Sequence, residues 1–298
     1  MADYVLLTDS SCDLPAGLAD QMQLTVLPLT VDMDGKLYRN YLDGREIGFH
    51  EFFERVVTAK SAKTSAVTSE QFMEALEPLC QAGVDVLYLA FSSGLSGTYN
   101  SGAIAMRELS EKYPERKLYA VDSLCASLGE GLFALKAADY RDQGMEIDET
   151  ADRIQAQCAS MCQVFTVEDL KYLRATGRLS GIRALVGTLL KIKPILVGDP
   201  EGKIVCFARE RGRKASIAKL AQIYDSEVVD AENQVVGVAH ADCPEDAQAL
   251  IQLLNRNHPP KQILNVCYEP VTGAHVGPGA LALFFMSARD VRERLAGN

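Results

Sequence analysis

Apolar and polar positions in the first half of the chain fall into two alternating kinds of segment. Residues 4–7, 84–91 and 117–121 are short, largely apolar runs with strand character, and small hydroxyl residues follow close behind them. Between them the spacing becomes helical. Phe72, Leu76 and Leu79 share one stripe of a helix predicted over 69–82, and further helices are predicted over 49–58, 98–113 and 127–142. Ser11 and Asp13 ahead of Leu14-Pro15 form a helix-start signature, and residues 23–31 read as a second strand running towards the Asp34-Gly35 turn. Continuously apolar strands separated by helices imply a mostly parallel sheet covered on both faces.

The pattern restarts after Gly144. A helix is predicted over 148–161, which would place Cys158 and Cys162 on one face. Strands follow at 162–167, 195–197, 204–208, 235–240 and 262–268, with helices at 214–224 and 245–257. The Asp199-Pro200-Glu201-Gly202 stretch is a hairpin signal, so the second sheet is expected to be mixed. The expected fold class is therefore α/β in two domains. Residues 1–157 would form an N-terminal, mostly parallel sheet with helices on both faces, and residues 158–298 a C-terminal mixed-sheet domain.

Composition narrows the function classes. The chain has 298 residues, 48% of them hydrophobic, enough for a substantial core, and its net charge is -10. An acidic surface disfavours nucleic acid and anionic membranes as partners. The start, MADYVLLTDSS, reads as a first strand rather than a signal peptide, and no run approaches the roughly 18 apolar residues of a spanning helix. A cytoplasmic protein with no stable membrane insertion is expected. The eight cysteines are scattered among apolar neighbours, as structural thiols of a reducing compartment would be, and their spacing offers no metal site.

Candidate chemistry gathers at the ends of the first-half strands, where ligands sit in doubly wound sheets. These ends are Thr8-Asp9-Ser10-Ser11, Ser92-Ser93-Gly94-Leu95-Ser96-Gly97-Thr98, and Asp122-Ser123. The Ser92–Thr98 loop leads into a helix, so free backbone N–H groups, glycines that permit close approach, and hydroxyl donors converge on a site suited to an anion or polar head. An ordinary capping turn would need only one of those hydroxyls. Asp9 and Asp122 read as capping or loop-tying carboxylates, or as magnesium ligands of a phosphotransferase. Ser96 in its Gly-Leu-Ser-Gly setting half resembles a hydrolase serine, but Thr98 stands where the second glycine is needed. Lys63-Thr64-Ser65 reads as a plain loop. His275 lies in a glycine-rich turn, where a histidine caps backbone groups or offers a ring N–H to a carboxylate. Arg209 to Lys214 is a basic patch in an acidic chain, suited to docking a negative partner or left as a solvated loop.

Taken together and in order, these loops resemble the DegV family of bacterial fatty-acid-binding proteins. The stretches are TDSSCDLP from Thr8, KTS from Lys63, SSGLSGTYNS from Ser92, VDSLCASLGEG from Val121, LKYLRATGR ending at Arg178, LLKIKPIL from Leu189, ARERGRK from Ala208 and HVGPGALALFF from His275. The sequence departs from the family's habit at Ala66-Val67, where Gln-Pro is common, and at Thr176-Gly177, where a double glycine usually precedes the arginine. The resemblance implies a long-chain fatty acid held between two α/β domains, with no other cofactor, no metal and no enzymatic activity of the chain's own. It assigns the lipid carboxylate to Thr64, Ser96 and His275, with Ser65, Ser93 and Gly97 supporting the head group. It also implies that the carboxylate is presented to the ATP-binding subunit of a fatty-acid kinase, feeding phospholipid synthesis, with Arg211 and Lys214 docking that partner. The apolar runs Leu281–Met286 and Leu185–Leu190 would line part of the tail slot. A hydrolase using Ser96, or a magnesium-dependent phosphotransferase using Asp9 and Asp122, is the competing reading.

Overall fold

The computed structural model describes residues 3–179 and 192–297. Its strands are β1 (Tyr4–Asp9), β2 (Leu24–Leu27), β3 (Thr30–Met33), β4 (Lys36–Arg39), β5 (Ala62–Ser65), β6 (Asp85–Ala90), β7 (Leu118–Asp122), β8 (Met161–Thr166), β9 (Ile192–Gly198), β10 (Ile204–Arg211), β11 (Val235–His240), β12 (Gln262–Cys267) and β13 (Leu281–Met286). The helices are α1 (Ala16–Gln21), α2 (Phe49–Val56), α3 (Ser69–Gln81), α4 (Thr98–Lys112), α5 (Leu128–Asp142), α6 (Ile147–Gln157), α7 (Lys171–Ala175), α8 (Arg213–Glu227), α9 (Pro244–Asn257), α10 (Pro270–Val276) and α11 (Val291–Ala296).

The first sheet has the order β2-β1-β6-β7 and is parallel throughout. Helices α3 and α4 cover one face, α5 and α6 the other. That double cover is why β6 is apolar on both sides, with Val86 to Ala90 buried without a break. The second sheet runs β10-β9-β8-β13-β11-β12, and only its β11–β12 pair is parallel. Its outer face packs under α8, α9 and α11 around Leu220, Leu250 and Phe285. The chain is thus a two-domain α/β fold, an N-terminal parallel sheet with its helices and a C-terminal mixed sheet.

Helix α5 joins the two. It packs on β1 and β6 of the first sheet and on β11 and β13 of the second. Two glycines make this double contact feasible. A Cβ on Gly129 would stand 2.8 Å from the Cys125 Cβ and 3.1 Å from the Phe284 ring, and one on Gly131 would collide with the Cys12 carbonyl. The resulting interior is continuous: Leu6, Phe133 and Phe284 belong to one buried cluster.

Four expectations from the sequence need correction. Residues 23–31 are two strands, because Pro28 has no N–H for a ladder. β2 stays in the parallel sheet, whereas β3 starts a separate antiparallel sheet of order β4-β3-β5. Lys63-Thr64-Ser65 is part of strand β5 in that sheet, with Thr64 paired to Val31. The helix expected over 148–161 stops at Gln157, turns through a 3-10 segment at Cys158–Ser160, and yields to β8, whose Met161 pairs with Met286. Cys158 and Cys162 accordingly share no face; they are buried in different apolar clusters, and all eight cysteines are free. His275 sits not in a turn but on the last turn of α10, which ends at Gly277 with φ 73°. The Asp199 turn, by contrast, joins antiparallel β9 and β10 as its sequence predicts. Among the described residues no helix is long and apolar enough to cross a membrane.

Candidate functional site

A short helix containing a glycine has little stability of its own. α10 is held by its surroundings. Glu269 is its N-cap, and the buried carboxylate accepts the amide hydrogens of Val271 and Thr272, the latter at 2.5 Å. The Asn40 side chain donates to the same carboxylate at 2.6 Å, and the Glu269 amide donates to Asp13 at 2.7 Å. Gly273 brings the helix onto α2, since a Cβ there would lie 2.7 Å from the Phe53 ring. These contacts fix where His275 points.

Among the described residues no cation stands with the groups that shift these buried carboxyls. Desolvation raises Asp13 to about 7, and it raises Glu269 as well, with the neighbouring Asp13 charge adding to the effect. A raised acid favours the protonated fold, so its stabilisation is complete below the unfolded value near 3.8 and is lost as pH climbs towards and past 7. The expected outcome is an unfolding free energy that falls between about pH 4 and 7 by on the order of 4 kcal/mol. Asp13→Asn, which suits the left-handed φ of 54° there, should flatten that slope. Urea titrations of both proteins at stepped pH check this, and an unchanged slope in the variant would contradict it.

At the other end of α10, His275 Nε2 lies 2.9 Å from the Thr64 hydroxyl. The imidazole is pushed down to about 4, chiefly by burial and secondarily by the Arg178 charge, so it is neutral at physiological pH. Its Nδ1 is buried without a partner. Ser96 belongs to the loop entering α4, with its hydroxyl 2.9 Å from that of Thr98 and accepting the Thr98 amide hydrogen at 3.2 Å. Ser92 serves the scaffold instead. It is fully buried and donates to the Gly202 carbonyl at 2.8 Å, pinning the β9–β10 turn against the loop.

Thr64, Ser65, Ser96, Gly97 and His275 all line one partly open cavity, which together with the solvent at its mouth holds about 890 Å³ of atom-free space. Its remaining wall is mainly apolar and comes from both sheets and the elements between them, with Leu29, Phe91, Phe165, Ile204, Val276 and Phe284 prominent. Of the two runs expected along a tail slot, Leu281–Met286 contributes Phe284, and Leu185–Leu190 lies outside the described residues.

Ser93 does not belong with this set. It is exposed, it does not line the cavity, and its amide donates to Asp122 at 3.2 Å. A hydroxyl-rich loop sends alternate side chains to different sides, and the sequence alone does not say which. One charged lining residue was missed. Arg178 reaches the cavity from beyond α7, with Nε donating to the Leu95 carbonyl at 3.3 Å and its terminal nitrogen to Thr176 at 2.5 Å. No carboxylate among the described residues pairs with it. The ATGR segment ending at Arg178 was the available signal, but only the fold closes it over Leu95.

The competing chemistry finds less geometry. The Ser96 hydroxyl bonds to Thr98, not to His275. Asp9 is wholly buried, accepts from Ser11 and Tyr88, and is raised by desolvation, whereas Asp122 ties Ser93 and Leu124 two strands away. Among the described residues no three His, Cys, Asp or Glu side chains are placed to hold a metal ion. Arg211 ends β10 and Lys214 lies in the first turn of α8. Both are exposed and neither lines the cavity, whereas Arg213 between them is tied to Asp246 at 2.7 Å.

Two sheets sharing one interior, around a mainly apolar cavity with hydroxyls, a neutral imidazole and a guanidinium on its wall, define an α/β protein built around an amphiphilic internal site. The chain belongs to the DegV family, described as "Uncharacterised protein, DegV family", whose match covers residues 4–288. A DegV domain-containing protein of Clostridium perfringens is 38% identical over 293 residues, 98% of this chain and 100% of that protein. A solved structure entitled "Fatty Acid Binding of a DegV family Protein from Thermus thermophilus" superposes with a TM-score of 0.87 at 28% identity, covering 96% of this chain and 100% of that one. A DegV-family structure from Ruminococcus gnavus refined with vaccenic acid gives 0.86 at 26% identity, covering 94% and 99%.

Proposed function

We propose that this chain binds a long-chain fatty acid, with the carboxylate at Thr64, Ser96 and His275 and the tail along the apolar cavity wall. The observation that carries the reading is the Thr64–His275 pair lining the same mainly apolar space as Ser96 and Arg178. Hydroxyls and a neutral ring orient an anion without a fixed ion pair, and the Arg178 charge complements it from the same wall. Each buried methylene contributes about 0.8 kcal/mol, so an acyl tail of ordinary length supports tight binding. The relatives described as fatty-acid-binding, and the one refined with vaccenic acid, favour the same ligand. The protein purified from bacterial cells should release fatty acid on organic extraction, detected by mass spectrometry. Failure to find any, together with no uptake of added oleic acid by the delipidated protein, would refute the reading.

Its finer part is that the chain is a carrier acting in the cytoplasm, with no cofactor and no chemistry of its own. It offers the bound carboxylate to the ATP-binding subunit of a fatty-acid kinase. There a carboxylate oxygen attacks the γ-phosphorus of ATP, giving acyl phosphate and ADP, and the product feeds phospholipid synthesis. Arg211 and Lys214 support this reading because both are exposed cations on an acidic chain, suited to a negative partner surface. Replacing both by alanine should abolish kinase-dependent acyl-phosphate formation and leave oleic acid affinity within about twofold, since neither touches the cavity. Undiminished acyl-phosphate formation would remove the docking assignment alone.

A further inference from the structure

One polar side chain on the cavity wall has no part in the head-group network. Gln163 lies on β8, is 5% exposed, and lines the cavity together with its direct strand neighbour Phe284. On the other side of β8 the adjacent position is Gly198 of β9, itself paired with Ile204 of β10, which also lines the cavity. A row across the sheet therefore reads Phe284, Gln163, Gly198, Ile204. Gly198 has no side chain, and the glutamine amide lies over the gap: a Cβ on Gly198 would stand 2.8 Å from both Cγ and Cδ of Gln163.

The orientation of that amide is fixed by a backbone donor. Ala126 N–H points at Gln163 Oε1 at 3.1 Å, and only the oxygen end of the group can accept it. The NH2 end is consequently turned away from Ala126 and lies over Gly198, its nitrogen closer than Cγ or Cδ to where a Cβ there would stand, on a wall that also carries Phe165, Ile204 and Phe284. It finds no acceptor among the described residues. Ser11, elsewhere on the wall, differs in that its hydroxyl is committed to the Asp9 and Glu130 carboxyls. A donor on the cavity wall with no protein acceptor is left unpaired once an acyl chain displaces water from it, and an apolar side chain of similar volume would have lined the slot without that cost.

We propose that Gln163 is a specificity residue that selects acyl chains carrying an oxygen acceptor part-way along, hydroxy or oxo fatty acids, over unsubstituted ones. This rests on the reading that the cavity takes a fatty acid. A hydroxyl or ketone reaching the amide accepts its free N–H, whereas a plain methylene leaves it unpaired. The Ala126 bond alone would make Gln163 a tie between loop and sheet, and such a tie has no reason to discriminate between ligands.

The test uses delipidated full-length protein and a displacement titration with stearic acid and with stearic acids bearing one hydroxyl or one keto group at successive carbons. At least one substituted chain should bind about tenfold tighter than stearic acid, the scale of one hydrogen bond to an otherwise unpaired group. Gln163→Met should erase that preference while keeping stearic acid within about threefold, because methionine fills the same volume without a donor. Stearic acid binding as well as or better than every substituted chain would overturn the proposal on the unmutated protein alone, whether or not the variant folds. A preference that survives in Gln163→Met would overturn it too. If stearic acid and all its derivatives fail to bind, the fatty-acid reading itself falls, an outcome distinct from the other two.

Discussion

Removing the Thr64 and Ser96 hydroxyls together, as Thr64→Val with Ser96→Ala, should weaken oleic acid binding at least about a hundredfold. In the proposed site each hydroxyl donates to an ionised carboxylate, and such a bond contributes roughly 1.5–3 kcal/mol, so two of them span about 3–6 kcal/mol. The single variants should each lose about tenfold or more. Thr64→Val has a further effect, since it strips His275 Nε2 of its partner at a largely buried position whose Nδ1 already lacks one. Some loss of thermal stability should therefore accompany that variant. Ser96→Ala should melt close to the unmutated protein, since its hydroxyl serves only the partly buried Thr98 contacts. Fluorescence displacement measures the affinities, and calorimetric melting separates the two effects. A double variant that binds oleic acid within about threefold of the unmutated protein would place the carboxylate elsewhere.

The largest stability change is expected from one methyl group at the end of α10. Gly277→Ala combines a left-handed backbone, φ 73°, with a Cβ driven into the Tyr172 ring. The first costs about 1 kcal/mol and the second about 1–3 kcal/mol if Tyr172 cannot withdraw. A loss of about 3 kcal/mol in a chain of this size lowers Tm by roughly 6–12 °C. Because Gly277 follows the turn that carries His275, oleic acid affinity should fall in the same variant even at temperatures where it remains folded. A melting temperature within about 1 °C of the unmutated protein would show that the ring moves freely and that Gly277 is not confined by it.

How much of this was legible in the sequence varied with how much each element depends on its neighbours. β1 and β6 declare themselves because strands buried on both faces are apolar over most of their length. β5 does not: Ala-Lys-Thr-Ser carries no hydrophobic pattern, and it is a strand because β3 offers it a ladder. α10 was hidden for a similar reason. Its helicity comes from the Glu269 cap and from Gly273 lying on Phe53, contacts made across more than two hundred residues of chain in the second case. Within the site, Thr64, Ser96 and His275 were reached by motif resemblance, and all three line the same cavity. Ser93, reached by the same resemblance, faces away from the cavity, since a motif match does not say which way a loop side chain points. Arg178 was passed over because in the sequence it is one cation among several; its backbone partner Leu95 lies more than eighty residues away.

Helix α5 has a bearing on whether the two halves can part. A largely buried helix sandwiched between two sheets belongs to neither, so neither half taken alone is a finished hydrophobic body. Separating the halves would open their shared interior to water, and a cavity that draws its wall from both is held in register by that same cost.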